Sequence, residues 1–251
     1  MVLKEHQDAY GREVYEYLMK IPGSRDVAEI VERDDGYFDT SGGPKAYFSE
    51  YRHWLPFERK AMRFARGRVL DVGSGAGRHA LYLQNKGLEV TAIDNSPLAI
   101  EVCRQRGIKQ TNVTPVSQIS QKLGIFDTVI MMGNNFGLLG NYNSAKKILK
   151  KVYAMTSARG RIIATSGDVY RTAIPEHLQY QESNRRRGRM SGQLRIRIRY
   201  KKYVTPWFDY LMVSKSELED ILDNTGWQVS KYLDSETAMY IAIIEKEKVK
   251  K

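Results

Sequence analysis

VLDVGSGAGRH, residues 69 to 79, is the stretch whose reading decides the fold. Val69, Leu70 and Val72 make a short apolar run broken only by Asp71, as in a buried strand. Gly73, Gly75 and Gly77 follow at alternate positions, with Ser74 between the first two, and a helical pattern begins near Arg78. The pattern is strand, tight turn, helix N-terminus. Glycines allow positive φ and a close ligand approach, and a helix start carries a partial positive charge. The next apolar run, VTAIDNS, ends in Asp94, Asn95 and Ser96. A carboxylate about 20 residues past such a turn is placed to accept ribose hydroxyls. A dinucleotide fingerprint would read G-x-G-x-x-G; this chain reads G-x-G-x-G with an acidic residue two positions earlier.

Length and composition set the frame. At 251 residues the chain suits one large α/β domain or one domain with an extension. Its hydrophobic content of 42% is that of a globular protein. No run of apolar residues is long enough to span a bilayer, so no membrane association is expected. The N-terminus, MVLKEHQDAYGRE, lacks the apolar core of a secretory signal, which points to the cytoplasm. Cys103 is the single cysteine and is expected to be a small buried hydrophobe. No metal-ligand spacing is evident. The formal net charge of +11 is compatible with an acidic substrate or a nucleic acid.

Outward from the glycine turn, the pattern alternates as in a parallel sheet. Strands are expected at 68–72, 88–94, 112–116, 126–132 and 161–166. Helices are expected over 77–86, from Ser96-Pro97 to Gly107, and over 143–157. A capping box at Ser214 and Glu217 opens a further helix, and strands over 227–233 and 238–244 close the chain as an antiparallel pair. Upstream, the periodicity predicts a helix over 4–20, with Tyr10, Val14, Tyr17 and Leu18 on one side, and a second helix over 25–33. A turn-rich stretch and a dense aromatic cluster follow, containing Tyr47, His53 and Trp54.

With these motifs in register, residues 66 to 246 resemble a class I, Rossmann-like, S-adenosylmethionine (SAM) methyltransferase. The resemblance implies an α/β fold: a doubly wound, mostly parallel seven-stranded sheet of order 3-2-1-4-5-7-6. Residues 1–65 would be an N-terminal helical and aromatic extension acting as a lid, 171–212 an inserted β-hairpin, and 247–251 a basic tail. It also implies SAM as cofactor and S-adenosyl-L-homocysteine as product. By resemblance, Gly73, Gly75 and Gly77 allow the close backbone approach, Asp71 supports the loop and the methionine amino group, Arg78 is a candidate partner for the methionine carboxylate, Asp94 holds the ribose hydroxyls, Asn95 lies beside the adenosine, and Ser74 and Ser96 complete the cofactor-binding set. Ser117 and Gln118 stand where an acidic residue usually flanks the adenine, and Gly133 and Asn134 line the junction with the acceptor.

The acceptor side is less determined. Gly133, Asn134, Asn135 and Phe136 follow the fourth strand, where open α/β sheets place ligands. An Asn there orients a nucleophile by accepting its proton in a hydrogen bond. The segment is not N/D-P-P-Y, which demotes methylation of nucleobase or glutamine amino groups, and Cys103 lies outside the acceptor position that a thiolate nucleophile requires. Residues 171 to 212 hold ten Lys/Arg against three Asp/Glu. Within them RRRGR, 185 to 189, reads as an exposed loop. LRIRIRY alternates Arg195, Arg197 and Arg199 with apolar residues, as in a half-buried strand. The arginine face would meet an anionic acceptor or a solvated surface. Tyr47, His53, His177, Tyr200, Trp207 and Tyr210 are pocket candidates. The leading expectation is methyl transfer to a nitrogen or oxygen of a small molecule. RNA or another macromolecule as acceptor, and SAM binding without catalysis, are the alternatives, and the oligomeric state is open.

Overall fold

The computed structural model describes residues 1–247. In chain order the elements are α1 (Ala9–Leu18), β1 (Ile30–Arg33), β2 (Phe38–Thr40), α2 (Gly43–Tyr47), α3 (Pro56–Ala61), β3 (Arg68–Val72), α4 (Arg78–Asn85), β4 (Glu89–Asp94), α5 (Pro97–Gln105) and β5 (Gln110–Val113). Then come β6 (Phe126–Met131), α6 (Tyr142–Ala154), β7 (Thr156–Gly167), α7 (Pro175–Arg186), β8 (Gln193–Tyr200), β9 (Tyr203–Val204), β10 (Phe208–Leu211), α8 (Lys215–Leu222), β11 (Trp227–Asp234) and β12 (Met239–Lys246). β3 to β7 with β11 and β12 form a mostly parallel seven-stranded sheet with helices, an α/β fold as expected. The basic tail expected over 247–251 lies, past residue 247, outside the described residues.

The chain forms two compact units. One comprises Met1–Trp54, Asp71–Val116 and Arg195–Phe208. Here β4 pairs in parallel with β5, with Asp94 beside Val113. α5 starts where the sequence places it: Ser96 Oγ accepts the Ala99 N–H at 2.9 Å, with Pro97 in the first turn. α1 lies against α5, its Val14 and Tyr10 packed with Ala76, Ala99 and Val102. Asp8 fastens the two helices. One of its oxygens accepts the Gly11 N–H at the start of α1, and the other accepts the Ser96 hydroxyl at 2.8 Å and the Leu98 N–H at 3.1 Å.

A second sheet in this unit corrects the N-terminal reading. Residues 25–33 are not a helix: Ile30–Arg33 form β1, antiparallel to β2 on one side and to β8 on the other. Ile30 and Val31 are β-branched, and two strand partners outweigh the weak helical periodicity there. The extension is therefore helix and sheet together. The insertion is likewise more than a hairpin. Its tight part exists, with Tyr200 opposite Tyr203 in the β8–β9 pair. It also contains the helix α7, and RRRGR is not simply a loop. Arg185 and Arg186 complete the last turn of α7, both bonded to Glu182, and Gly188 at φ 68° follows. Because α7 is polar on nearly every side, no apolar stripe announced it.

The other unit comprises Leu55–Leu70, Ser117–Leu194 and the chain from Asp209 onward. β6 and β7 are parallel, β7 and β12 antiparallel, and β12 and β11 antiparallel. Val129, Ile130, Ile162, Ile163, Ile241 and Ile243 are buried on these strands, as both faces of such a sheet require. β7 begins before Gly160, which lies within it rather than ahead of it, and β5 sits two residues earlier than expected. The Ser214–Glu217 capping box forms, with the Ser214 N–H donating to Glu217 at 2.9 Å and the Glu217 N–H to Ser214 Oγ at 3.3 Å. Trp227 is buried and donates its indole N–H to the Leu149 carbonyl.

Asp8→Ala removes the α1 cap and leaves the Leu98 amide without its side-chain acceptor. We expect a loss of about 1–3 kcal/mol in urea unfolding; an unchanged midpoint would show that α1 is held by apolar packing alone.

Candidate functional site

The glycine turn is built by its own neighbours. Gly73, Gly75 and Gly77 have φ of 70°, 54° and 76°. The Gly73 and Ser74 N–H groups both donate to the Ile93 carbonyl, and the Gly77 N–H to Ser74. These three amides are thus spent inside the fold. A side chain fits at neither of the last two glycines. A Cβ on Gly77 would lie 2.3 Å from Ile108 Cδ1, and one on Gly75 would lie 2.3 Å from the Tyr10 hydroxyl. Cys103, buried as expected, donates its thiol to the Gly75 carbonyl at 3.2 Å, and burial pushes that thiol up to about 12.

Two carboxylates flank this turn. Asp71 is 2% exposed; it accepts from the Ala80 amide in the first turn of α4, while its Oδ2 is buried with no hydrogen-bond partner among the described residues. Burial, and then the charge of Asp94, push Asp71 up to about 7. Asp94 takes the Gly75 N–H on Oδ2 at 3.0 Å and the Ser96 N–H on Oδ1 at 2.9 Å, and burial lifts it to about 6. Each of its oxygens retains a lone pair for a further donor. A buried acceptor with no donor and two carboxylates raised by desolvation could hold a ligand that brings hydroxyls and positive charge.

The remaining expected residues divide between the units. In the first, Arg78 donates to Ser49 Oγ at 3.1 Å and lies over the Trp54 ring. Asn95 bonds the N-terminal segment through its carbonyl, which accepts the Leu3 amide. The Ser96 hydroxyl is committed to Asp8 and to its helix cap. Tyr47 is half-buried and donates to Glu29, whereas His53 is exposed in a single 3-10 turn. Trp207 stacks under the Arg197 guanidinium, 4.4 Å from its centre.

In the second unit, Ser117 and Gln118 are exposed in a 3-10 turn. Gly133 and Asn134 both have φ of 68° and turn the chain out of β6 into a 3-10 turn that begins at Asn135. Asn134 pays backbone strain for this position. The Tyr210 hydroxyl bonds its carbonyl at 2.6 Å, and the Tyr210 ring fills the space a side chain on Gly137 would need. Asn134 Oδ1 is buried and has no hydrogen-bond partner among the described residues. His177 meets Thr172 at the start of α7.

The arginine face of β8 meets an internal partner. Glu32 on β1 accepts two bonds from Arg197, at 2.8 and 2.7 Å, and a further one from Arg199. These contacts hold the Glu32 carboxyl down at about 2. The expected meeting with an anionic acceptor is corrected for these two residues: the anion is a glutamate of the same sheet, brought opposite by the β1–β8 register of Glu32 with Arg197. Tyr200 donates to Glu16 at 3.0 Å. The sequence passed over Asp8, Tyr10, Glu13, Glu29 and the role of Tyr210. Tyr10 and Val14 gave only an apolar stripe, and a hydroxyl's destination has no local signal.

Substituting Gly75 by Ala adds a Cβ at φ 54° and drives it onto Tyr10. A loss of stability of about 1–2 kcal/mol from the backbone alone is expected, with a larger loss that the Tyr10→Ala background partly restores; thermal unfolding of the three variants checks this.

Residues 69–160 match the family model described as a methyltransferase domain. The chain is 30% identical over 101 residues to the glycine/sarcosine N-methyltransferase of Parasynechococcus marenigrum, covering 38% of this chain and 36% of that protein. It is 39% identical over 84 residues to the ubiquinone biosynthesis O-methyltransferase of Methylocella silvestris, covering 31% and 33%. The chain thus spans about a third of the length of these curated relatives. The crystal structure of a SAM-dependent methyltransferase from Bacteroides fragilis, in complex with S-adenosyl-L-homocysteine, superposes with a TM-score of 0.81 over 98% of both chains at 25% identity. Residues 69–160 are a methyltransferase domain, and the chain carries the class I SAM-dependent methyltransferase fold.

Proposed function

We propose that the protein transfers a methyl group from SAM to a nitrogen or oxygen nucleophile of a small molecule. The observation that carries the reading is the buried, donorless Oδ2 of Asp71 beside three positive-φ glycines and the Asp94 carboxylate. This set fits SAM. Its ammonium and ribose hydroxyls are donors, and its sulfonium is positive charge for a region with two raised carboxylates. In this reading Asp71 holds the amino end, the Gly73–Gly77 turn permits close approach, and Asp94 with Asn95 holds the ribose. Because SAM brings a methyl group already activated by the sulfonium, the protein's contribution is positioning and exclusion of water. The names of the N- and O-methylating relatives support a small-molecule acceptor. The pairing of Arg197 and Arg199 with Glu32, and of Arg185 and Arg186 with Glu182, subtracts from the basic surface an RNA acceptor would need.

S-adenosyl-L-homocysteine should raise the melting temperature by mass action, and no shift at millimolar ligand would dismiss the reading. Asp94→Ala should weaken S-adenosyl-L-homocysteine binding by about 1–3 kcal/mol in calorimetry; unchanged affinity would remove Asp94 from the site.

The pH dependence has a definite sign. In the folded chain Asp71 and Asp94 titrate at about 7 and about 6, above their unfolded values. The stabilisation they give is complete below the unfolded carboxylate range and is lost as pH rises through 6 and 7. The ligand-free protein should therefore lose stability from about pH 5 to 8, while SAM binding strengthens over the same window because the ionised carboxylates meet its charge. Thermal scans with and without ligand across that range test both trends, and parallel curves would contradict them.

A further inference from the structure

Asp168 follows β7 directly, and the Arg171 N–H donates to the Asp168 carbonyl at 3.1 Å, which closes a turn. Both side chains line a cavity of about 390 Å³ that lies within the second unit and is of a size for a small molecule. The cavity stands at the carboxyl end of β7, the edge where open α/β sheets place ligands. Its other walls are the start of α8, with Ser214 and Lys215, and the β11–β12 hairpin, with Asp234 and Tyr240.

Most polar groups here are committed. Lys215 pairs with Asp234 at 2.7 Å. Ser214 belongs to the α8 capping box, and the Tyr240 hydroxyl donates to the Val213 carbonyl at 2.9 Å. Arg171 and Asp168 differ. Among the described residues, the Arg171 guanidinium donates to the Thr237 carbonyl at 2.8 Å and to no carboxylate. The Asp168 carboxylate accepts the Tyr170 N–H at 3.0 Å and, among the described residues, is bonded to no cation. On α7 the same sequence spacing gives a direct ion pair, Glu182 with Arg185 at 2.7 Å. At Asp168 and Arg171 the backbone instead holds the two charges apart, in one cavity, with most of their bonding capacity unused by the protein.

The charges also limit what fits. Lys215 and Asp234 neutralise one another, which leaves one positive and one negative group. A dianion or a dication would leave a charge unmet, whereas a ligand with one charge of each sign meets both. A guanidinium takes a carboxylate through two parallel N–H bonds, and a carboxylate takes an ammonium through a charge-assisted bond. Because both heads leave one turn, the two charges of the ligand have to be close together, as on the substituents of a single carbon.

We infer that Asp168 and Arg171 form a binding site for a small zwitterion of the amino-acid type, with the ligand's carboxylate on Arg171 and its ammonium on Asp168. Neither residue belongs to the cofactor set described above, and the inference does not depend on the methyltransferase reading. The ammonium keeps its proton there, so the site recognises the ligand without preparing that nitrogen for reaction.

The test uses the full chain and probes in sets of three: a common L-amino acid, the amine left when its carboxylate is removed, and the α-hydroxy acid that replaces its ammonium. For serine the counterparts are ethanolamine and glycerate. Calorimetry should show saturable binding at millimolar ligand for at least one amino acid, with its singly charged counterparts weaker by about tenfold or more. Arg171→Gln should bring that amino acid down to the affinity of its amine. Asp168→Asn, which keeps an acceptor for the Tyr170 N–H, should bring it down to the affinity of its hydroxy acid. If Arg171→Gln does not fold, Arg171→Lys keeps the charge, loses the fork, and should bind with intermediate affinity. Failure of every amino acid to bind, equal binding by the singly charged counterparts, or an amino-acid affinity unchanged in the folded variants would each overturn the inference.

Discussion

The Asp94 carboxylate is the joint on which the glycine turn depends. One oxygen receives the Gly75 amide and the other the Ser96 amide, so a single side chain at the end of β4 sets both the glycine turn and the start of α5. Both bonds are made in the dry, where an amide–carboxylate bond is strong and an unmet one is costly. The arrangement continues outward through Ser96 to Asp8 and so to α1. Asp94, Ser96 and Asp8 form one polar chain that runs from the sheet to the N-terminal helix, with each link a buried hydrogen bond. A network of this kind is sound only when all its members are satisfied. The donorless atom close to it, Oδ2 of Asp71, which feels the charge of Asp94, is for that reason informative.

The parts of this molecule that could be read from the sequence are those whose causes are local. A cap needs its residue at one position, and Ser96, Ser214 and Glu217 act where the sequence puts them. Buried parallel strands declare themselves by apolar runs, and β3, β4 and β6 fall within a residue of the expected bounds. The glycine spacing with Asp71 and Asp94 pointed to the class I methyltransferase fold because backbone conformation and carboxylate position are both written within one strand–turn–helix unit.

What escaped has its causes far along the chain. Ile30–Arg33 is a strand because β2 and β8 pair with it, and β8 lies well over a hundred residues downstream. α7 lacks an apolar stripe and is held by side-chain bonds such as Asn184 to the Ser191 and Gln193 carbonyls. Alternating arginines on β8 read as a surface awaiting an anion, and the anion was Glu32, invisible until the register of the second sheet is known. Glu13 and Glu29 likewise look like ordinary surface acids in a charged N-terminal segment. Their burial is a property of the tertiary structure alone.

The contact between Gly75 and Tyr10 links two positions that the sequence presents as unrelated. Left-handed backbone at Gly75 already disfavours a side chain; the phenol oxygen standing in the Cβ position excludes one a second time. The two residues therefore share one volume. In any divergent copy of this chain, a larger residue at position 75 is compatible only with a shorter one at position 10, so the most recognisable motif in the protein and its N-terminal helix are bound to vary together.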